Sequence, residues 1–170
     1  MKTLYLLRHA KAEPGGKDVS DPERILSARG REACITVGTY MKAKKYVPGV
    51  VLCSPSARTK ETLERVVLAA GIQPEHRFEN TLYLATAEEI LRAIHALNDD
   101  VSSAMVVGHN PGMHHISLLL SRPKHTELRT TLELKFPTCA FAVLRFDHER
   151  WEDVVPGEGM LLDFVTPGEL

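Results

Sequence analysis

Two arginines and two histidines stand where they could do chemistry together. Arg8 and His9 follow directly on the apolar run Leu4–Leu7, and His109 follows Ala104–Val107 and a glycine. Arg58 comes shortly after Val50–Cys53, through Ser54-Pro55-Ser56-Ala57. The planar fork of arginine bonds two phosphate oxygens at once and does not lose its charge. A neutral histidine adds a lone pair, which can displace a leaving group from phosphorus and carry the phosphoryl covalently. Neighbouring arginines repel imidazolium and so favour that neutral form. Taken singly, each residue also suits a solvated loop or a surface helix. Their shared position carries the reading: an anion site with a nucleophile in it.

The elements that must position them are short strands and amphipathic helices in alternation. Apolar runs without polar alternation suit parallel strands buried on both faces. In open α/β sheets the ligand crevice lies outside the carboxyl ends of such strands. Between them, Ala33, Val37, Tyr40 and Met41 make one helix face behind an N-cap at Ser27. Leu63, Val66, Val67 and Ala70 make a second, closed by Gly71, and Thr86-Ala87-Glu88-Glu89 opens a third as a capping box. Met113, Ile116, Leu119 and Leu120 form a fourth. Ser54 and Asn110, each followed by proline, read as N-caps that aim helix N-termini at the same anion. In the last third, Leu132–Phe136 alternates as a strand, followed by strands at Ala140–Leu144 and Met160–Val165, antiparallel additions at a sheet edge. Gly15–Asp18 and Ser121–Thr131 read as mobile loops, and Tyr83, Phe136 and Trp151 as packing residues. The expected fold is α/β, a three-layer sandwich with a mixed, mainly parallel sheet flanked by helices, in one domain over residues 1–170.

Composition narrows the partners. With 21 Lys+Arg against 22 Asp+Glu in 170 residues, the formal charge is −1, which offers no broad attraction to nucleic acid or a membrane surface. Three scattered cysteines, Cys34, Cys53 and Cys139, form neither a disulfide framework nor a zinc pattern. His109, His114 and His115 cluster, but His109 and His114 are not one helical turn apart and no carboxylate lies among them, so no metal site is expected. The first apolar run is too short for a signal peptide, and the cytoplasm is the expected location.

The segments Leu7-Arg8-His9-Ala10, Ser54–Thr62 and Val107–Gly112 also carry a family resemblance. Together with Asp21–Gly30, Phe136-Pro137-Thr138 and Phe164–Pro167, they resemble the histidine phosphatase superfamily, and within it the SixA-type phosphohistidine phosphatases. The ordered match runs from residue 3 to the end of the chain. By that resemblance His9 is the phosphorylated nucleophile, Arg8 and Arg58 grip the phosphoryl oxygens, and His109 donates to them in the transition state. Arg24 matches a basic residue over the pocket, and Lys11 and Asn110 are candidate substrate contacts. The set implies phosphoryl transfer without a metal or other cofactor.

Two departures from the superfamily pattern stand out. Ala10 replaces the frequent glycine, and Asn80 occupies the place of the mutase-like general acid, leaving Glu79 or no acid at all. A missing acid favours a labile P–N substrate, such as phosphohistidine on a phosphotransfer protein. The rivals are a small-molecule phosphomonoesterase and a non-catalytic module that binds phosphate or another oxyanion.

Overall fold

The computed structural model describes residues 1–170. Its strands are β1 (Lys2–Arg8), β2 (Val50–Cys53), β3 (Glu75–Phe78), β4 (Ser103–Gly108), β5 (Phe141–Phe146) and β6 (Met160–Val165). They form a six-stranded sheet in the order β3-β2-β4-β1-β5-β6. The pairings from β3 to β1 are parallel, and β5 and β6 add antiparallel at the β1 side. The helices are α1 (Ala28–Lys44), α2 (Ala57–Ala70), α3 (Ala87–His95), α4 (Gly112–Leu120) and α5 (Glu127–Leu134).

The apolar runs form strands because both faces are covered. Tyr5, Leu7, Val51, Cys53, Met105 and Val107 pack against Cys34, Val37 and Met41 of α1 and Leu63 and Val66 of α2. Their alternates Leu4, Leu6, Val50, Leu52, Ala104 and Val106 pack against Ile90 and Ile94 of α3, Met113, Ile116 and Leu120 of α4, and Leu132 of α5. A strand's period of two thus supplies two cores, and the result is a mixed, mainly parallel sheet between two helical layers. Helices α1 and α2 meet closely at Gly38, where an added Cβ would lie 2.4 Å from the Val66 carbonyl oxygen. No helix is long and apolar enough to cross a membrane.

Four local expectations are corrected. Leu132–Phe136 is not a strand: α5 runs through Leu134, capped by the Thr126 hydroxyl on the Arg129 N–H and braced by Arg129–Glu133 one turn apart. Only Leu132 of that alternation lies in the helix core face, and Leu134 is 79% exposed. The same helix occupies part of the Ser121–Thr131 stretch read as a loop. Leu119 points outward from α4, at 39% exposure. The helix starts also shift: Ser56 caps α2, accepting from the Thr59 N–H, and Pro111 is itself the N-cap position of α4. Beyond these, β3 is a strand that no expectation covered: it lies at the sheet edge with Glu75–Phe78 all exposed, so it has no apolar run to betray it.

Candidate active site

The parallel strands deliver their chemistry at one end of the sheet. Arg8 ends β1, Gly108 pairs with it at the end of β4, and His9 and His109 are the next residues along each strand. The main chain there is tied on both sides. The His9 N–H donates to the Gly108 carbonyl at 3.0 Å, and the Cys139 N–H donates to the His9 carbonyl at 3.0 Å. Thr62 of α2 links the loop to the helix, accepting from the Ala10 N–H at 2.9 Å and donating to the Arg58 carbonyl at 2.6 Å. Gly30 of α1 is the one glycine this loop requires, because an added Cβ would lie 2.1 Å from the Lys11 carbonyl oxygen.

The rings of His9 and His109 lie 5.4 Å apart. His9 Nδ1 lies 2.7 Å from the Ala10 carbonyl oxygen. A carbonyl only accepts, so Nδ1 carries the proton and Nε2 carries the lone pair. Burial is the largest influence on this ring, pulling its pKa from 6.5 down to about 4. The Ala10 hydrogen bond opposes that shift, while Arg8, Arg58 and Arg24 add to it. The His9 ring is therefore neutral near pH 7, and burial matters more to this than the arginines.

His109 sits between two donors. Its Nε2 lies 2.7 Å from Ser54 Oγ and its Nδ1 lies 3.3 Å from Arg58 Nη2. Guanidinium only donates, so Nδ1 accepts and Nε2 holds the proton toward Ser54. Burial, then His9 and Arg58, lower its pKa to about 3. Arg58 is 2% exposed, and its Nη1 and Nη2 donate to the backbone carbonyl and the carboxylate of Asp21, at 2.8 and 3.0 Å. Arg8 Nη1 donates to the Phe136 carbonyl at 3.1 Å. The Nε–H groups of both Arg8 and Arg58 are buried and meet no protein acceptor. A buried unpaired N–H is costly, and an oxyanion could satisfy both of these.

The remaining candidates divide. Arg24 joins the site through Asp21, with Nη1 on its carboxylate at 3.1 Å and Nε on the Glu13 carbonyl at 2.8 Å. Asn110 gives its amide to protein partners, donating to the Phe136 carbonyl and accepting from the His114 N–H. Lys11 is exposed. His114 is half-buried and its Nε2 is bonded to the Leu132 carbonyl of α5. Glu79 lines a separate hollow with Arg77, Thr81, Glu89 and Arg92.

Three residues without an expected chemical role do belong here. Ser54 holds His109. Asp21 and Tyr83 meet at the rim, where the Tyr83 hydroxyl donates to Asp21 Oδ2 and its ring stands edge-on to His109 at 5.4 Å. The reading of Tyr83 as a packing residue is thus corrected. A groove of about 970 Å³ between α2 and β3, lined by Leu63, Val67, Leu68, Ile72 and Phe78, contains none of the site residues.

Arginines and histidines gathered at the carboxyl ends of parallel strands define a phosphate-handling enzyme, and comparison with known proteins agrees. The family described as the histidine phosphatase superfamily (branch 1) matches residues 4–80. An uncharacterized protein of Mycobacterium tuberculosis is 32% identical over 164 residues, spanning 95% of this chain and 99% of its own. A structure from Nakamurella multipartitia, described as a candidate phosphohistidine phosphatase SixA, shares 30% identity with a TM-score of 0.82, covering 98% of this chain and 96% of that one. A corresponding Agrobacterium tumefaciens structure, also a candidate SixA, shares 28% identity and a TM-score of 0.82, covering 98% of both chains. The chain belongs to the histidine phosphatase superfamily. Within it, the full-length matches place the chain with the SixA type.

Proposed function

We propose that this phosphatase removes the phosphoryl group from phosphohistidine on a protein, through a covalent intermediate on His9 and without a metal or other cofactor. The observation that carries the reading is the His9 imidazole, neutral and with Nε2 unprotonated, beside the unpaired Nε–H groups of Arg8 and Arg58. Nε2 attacks phosphorus, the bond to the substrate imidazole breaks, and its electron pair stays on the departing nitrogen. Arg8 and Arg58 hold the phosphoryl oxygens as negative charge spreads over them. Water then adds to phosphorus and the P–Nε2 bond breaks. Its electron pair returns to His9, and both water protons leave with the phosphate.

His109 serves the same oxygens from Nδ1 once its proton moves to that nitrogen. The Ser54 hydroxyl accommodates the change because it can accept from Nε2 or donate to it. Glu79 lines a hollow that contains none of the site residues, which supports a labile substrate, since an alkoxide leaving group needs a proton donor and imidazole needs one less. The partner this implies is a phosphotransfer protein presenting its phosphohistidine on the surface. Three free, buried cysteines fit a reducing compartment, and we assign the enzyme to the cytoplasm.

The test is a substrate panel run with chelator. Phosphohistidine protein should be turned over faster than sugar phosphates and other monoesters, with no loss in the chelator. Faster turnover of a small monoester would reassign the substrate. Loss of activity in chelator, restored by zinc, would overturn the metal-free mechanism.

A further inference from the structure

We propose that Asp21, anchored by Tyr83 at the mouth of the pocket, selects the leaving group: its carboxylate accepts from the N–H of a departing imidazole and disfavours leaving groups that depart as anions. The proposal deepens the phosphohistidine reading and rests on it.

In-line displacement puts the leaving atom on the side of phosphorus away from His9. His9, Arg58 and His109 are buried, and Arg58 Nη2 reaches outward to Asp21, so the solvent side of this cluster lies toward Asp21. Asp21 stands there with a side chain 44% exposed. Its Oδ2 accepts from Arg58 Nη2 and the Tyr83 hydroxyl, and its Oδ1 accepts from Arg24 Nη1. Donors from three segments therefore fix the carboxylate against the pocket. A carboxylate offers about four lone-pair sites, and three are occupied, which leaves one on Oδ1 for a donor on the substrate. The Tyr83 hydrogen bond, then Arg24 and Arg58, hold the Asp21 carboxyl well below the usual range, so it acts as a charge and not as a general acid.

The chemistry fits an imidazole. In a phosphohistidine whose second ring nitrogen is protonated, that N–H is a donor and the ring is cationic. A carboxylate beside it favours this protonated form. When the P–N bond breaks, the electron pair goes to the nitrogen that held phosphorus, the proton stays on the other, and neutral imidazole departs. No acid is consumed. An alkoxide or phenolate offers no N–H and carries its negative charge toward Asp21, which repels it.

The decisive comparison is Asp21→Asn against wild type, using phosphoimidazole and para-nitrophenyl phosphate. The ratio of kcat/KM for phosphoimidazole over para-nitrophenyl phosphate should fall by about tenfold or more, because a charged acceptor for the leaving group is lost. Tyr83→Phe, which leaves the carboxylate but frees it, should move the ratio the same way by less. If Asp21 merely braces Arg58, both rates fall together, and a ratio within about twofold of wild type overturns the proposal. Failure of the phosphatase reading itself shows differently, as wild-type protein that turns over neither compound. In that event imidazole binding to tungstate-loaded protein decides: weakening by about tenfold in Asp21→Asn supports the assignment, and equal binding overturns it.

Discussion

The floor of the pocket and its mouth are built by opposite means. Arg8, His9 and His109 stand on adjacent parallel strand ends, with Arg58 close behind on α2, and their main chain is pinned by bonds to Gly108, Cys139 and Thr62. The floor is buried, and its histidines are neutral near pH 7. At the mouth, Asp21, Arg24 and Tyr83 come from turns and loops outside the sheet, are partly exposed, and hold one another by an ion pair and a phenol hydrogen bond. Groups that stabilise a transition state must not reorganise, and strand ends in a low-dielectric floor meet that need. Groups that choose among substrates can sit on loops that a rigid scaffold carries.

Substitutions should therefore hurt in proportion to depth. His9→Ala removes the nucleophile, and kcat should fall by about 10⁴-fold or more. Arg58→Ala should cost roughly 10²–10³-fold in kcat, the scale of losing one preorganised donor to the transition state. Arg58→Lys should fail to rescue it, because an ammonium cannot hold Asp21 and reach the phosphoryl with a planar fork. Ser54→Ala leaves His109 without its Nε2 partner, a loss of about 1 kcal/mol that steady-state kinetics should show as a several-fold drop in kcat. At the mouth, Arg24→Ala removes an exposed ion pair worth roughly 1 kcal/mol or less, so its effect should be a few-fold at most and mainly in KM. A loss from Arg24→Ala matching that from Arg58→Ala would erase the distinction between floor and mouth.

Acid should sharpen the same contrast. With the His9 pKa at about 4, activity should hold as pH falls through 6.5 and decline only near pH 4. A pH–rate midpoint near 6.5 would mean a solvated His9. Stability moves earlier, because between 6.5 and about 4 the unfolded chain binds a proton at His9 that the folded chain does not. His109 extends that window to about 3. This contribution is complete above pH 6.5 and is lost on acidification, which urea unfolding at pH 7 and pH 5 would show as a lower midpoint at pH 5.

The same division governs what could be read from the residues alone. Arg8, His9, Arg58 and His109 were readable because strands buried on both faces leave uninterrupted apolar runs, and the crevice lies at their carboxyl ends. The mouth leaves no such trace. Asp21 opens a single 3-10 turn, Asp21–Glu23, without hydrophobic period, and it reaches Arg58 only through the tertiary fold. Tyr83 is an aromatic in a turn, where packing is the simplest reading until its hydroxyl is seen on Asp21. Strand β3 escaped for a related reason, since Glu-His-Arg-Phe at an exposed edge buries nothing. Leu132–Phe136 misled in the other direction, because a short alternation also fits a helix that buries Leu132 and leaves Leu134 in water.

The central claim is that His9 carries the phosphoryl group. Wild-type protein mixed with phosphohistidine protein labelled in its phosphoryl group and quenched in alkali within the first turnover should retain label that is stable to base and released by acid. Peptide mapping should find that label on His9, and His9→Ala should retain none. Equal label on wild type and His9→Ala, or a His9→Ala variant with full activity, would contradict the account.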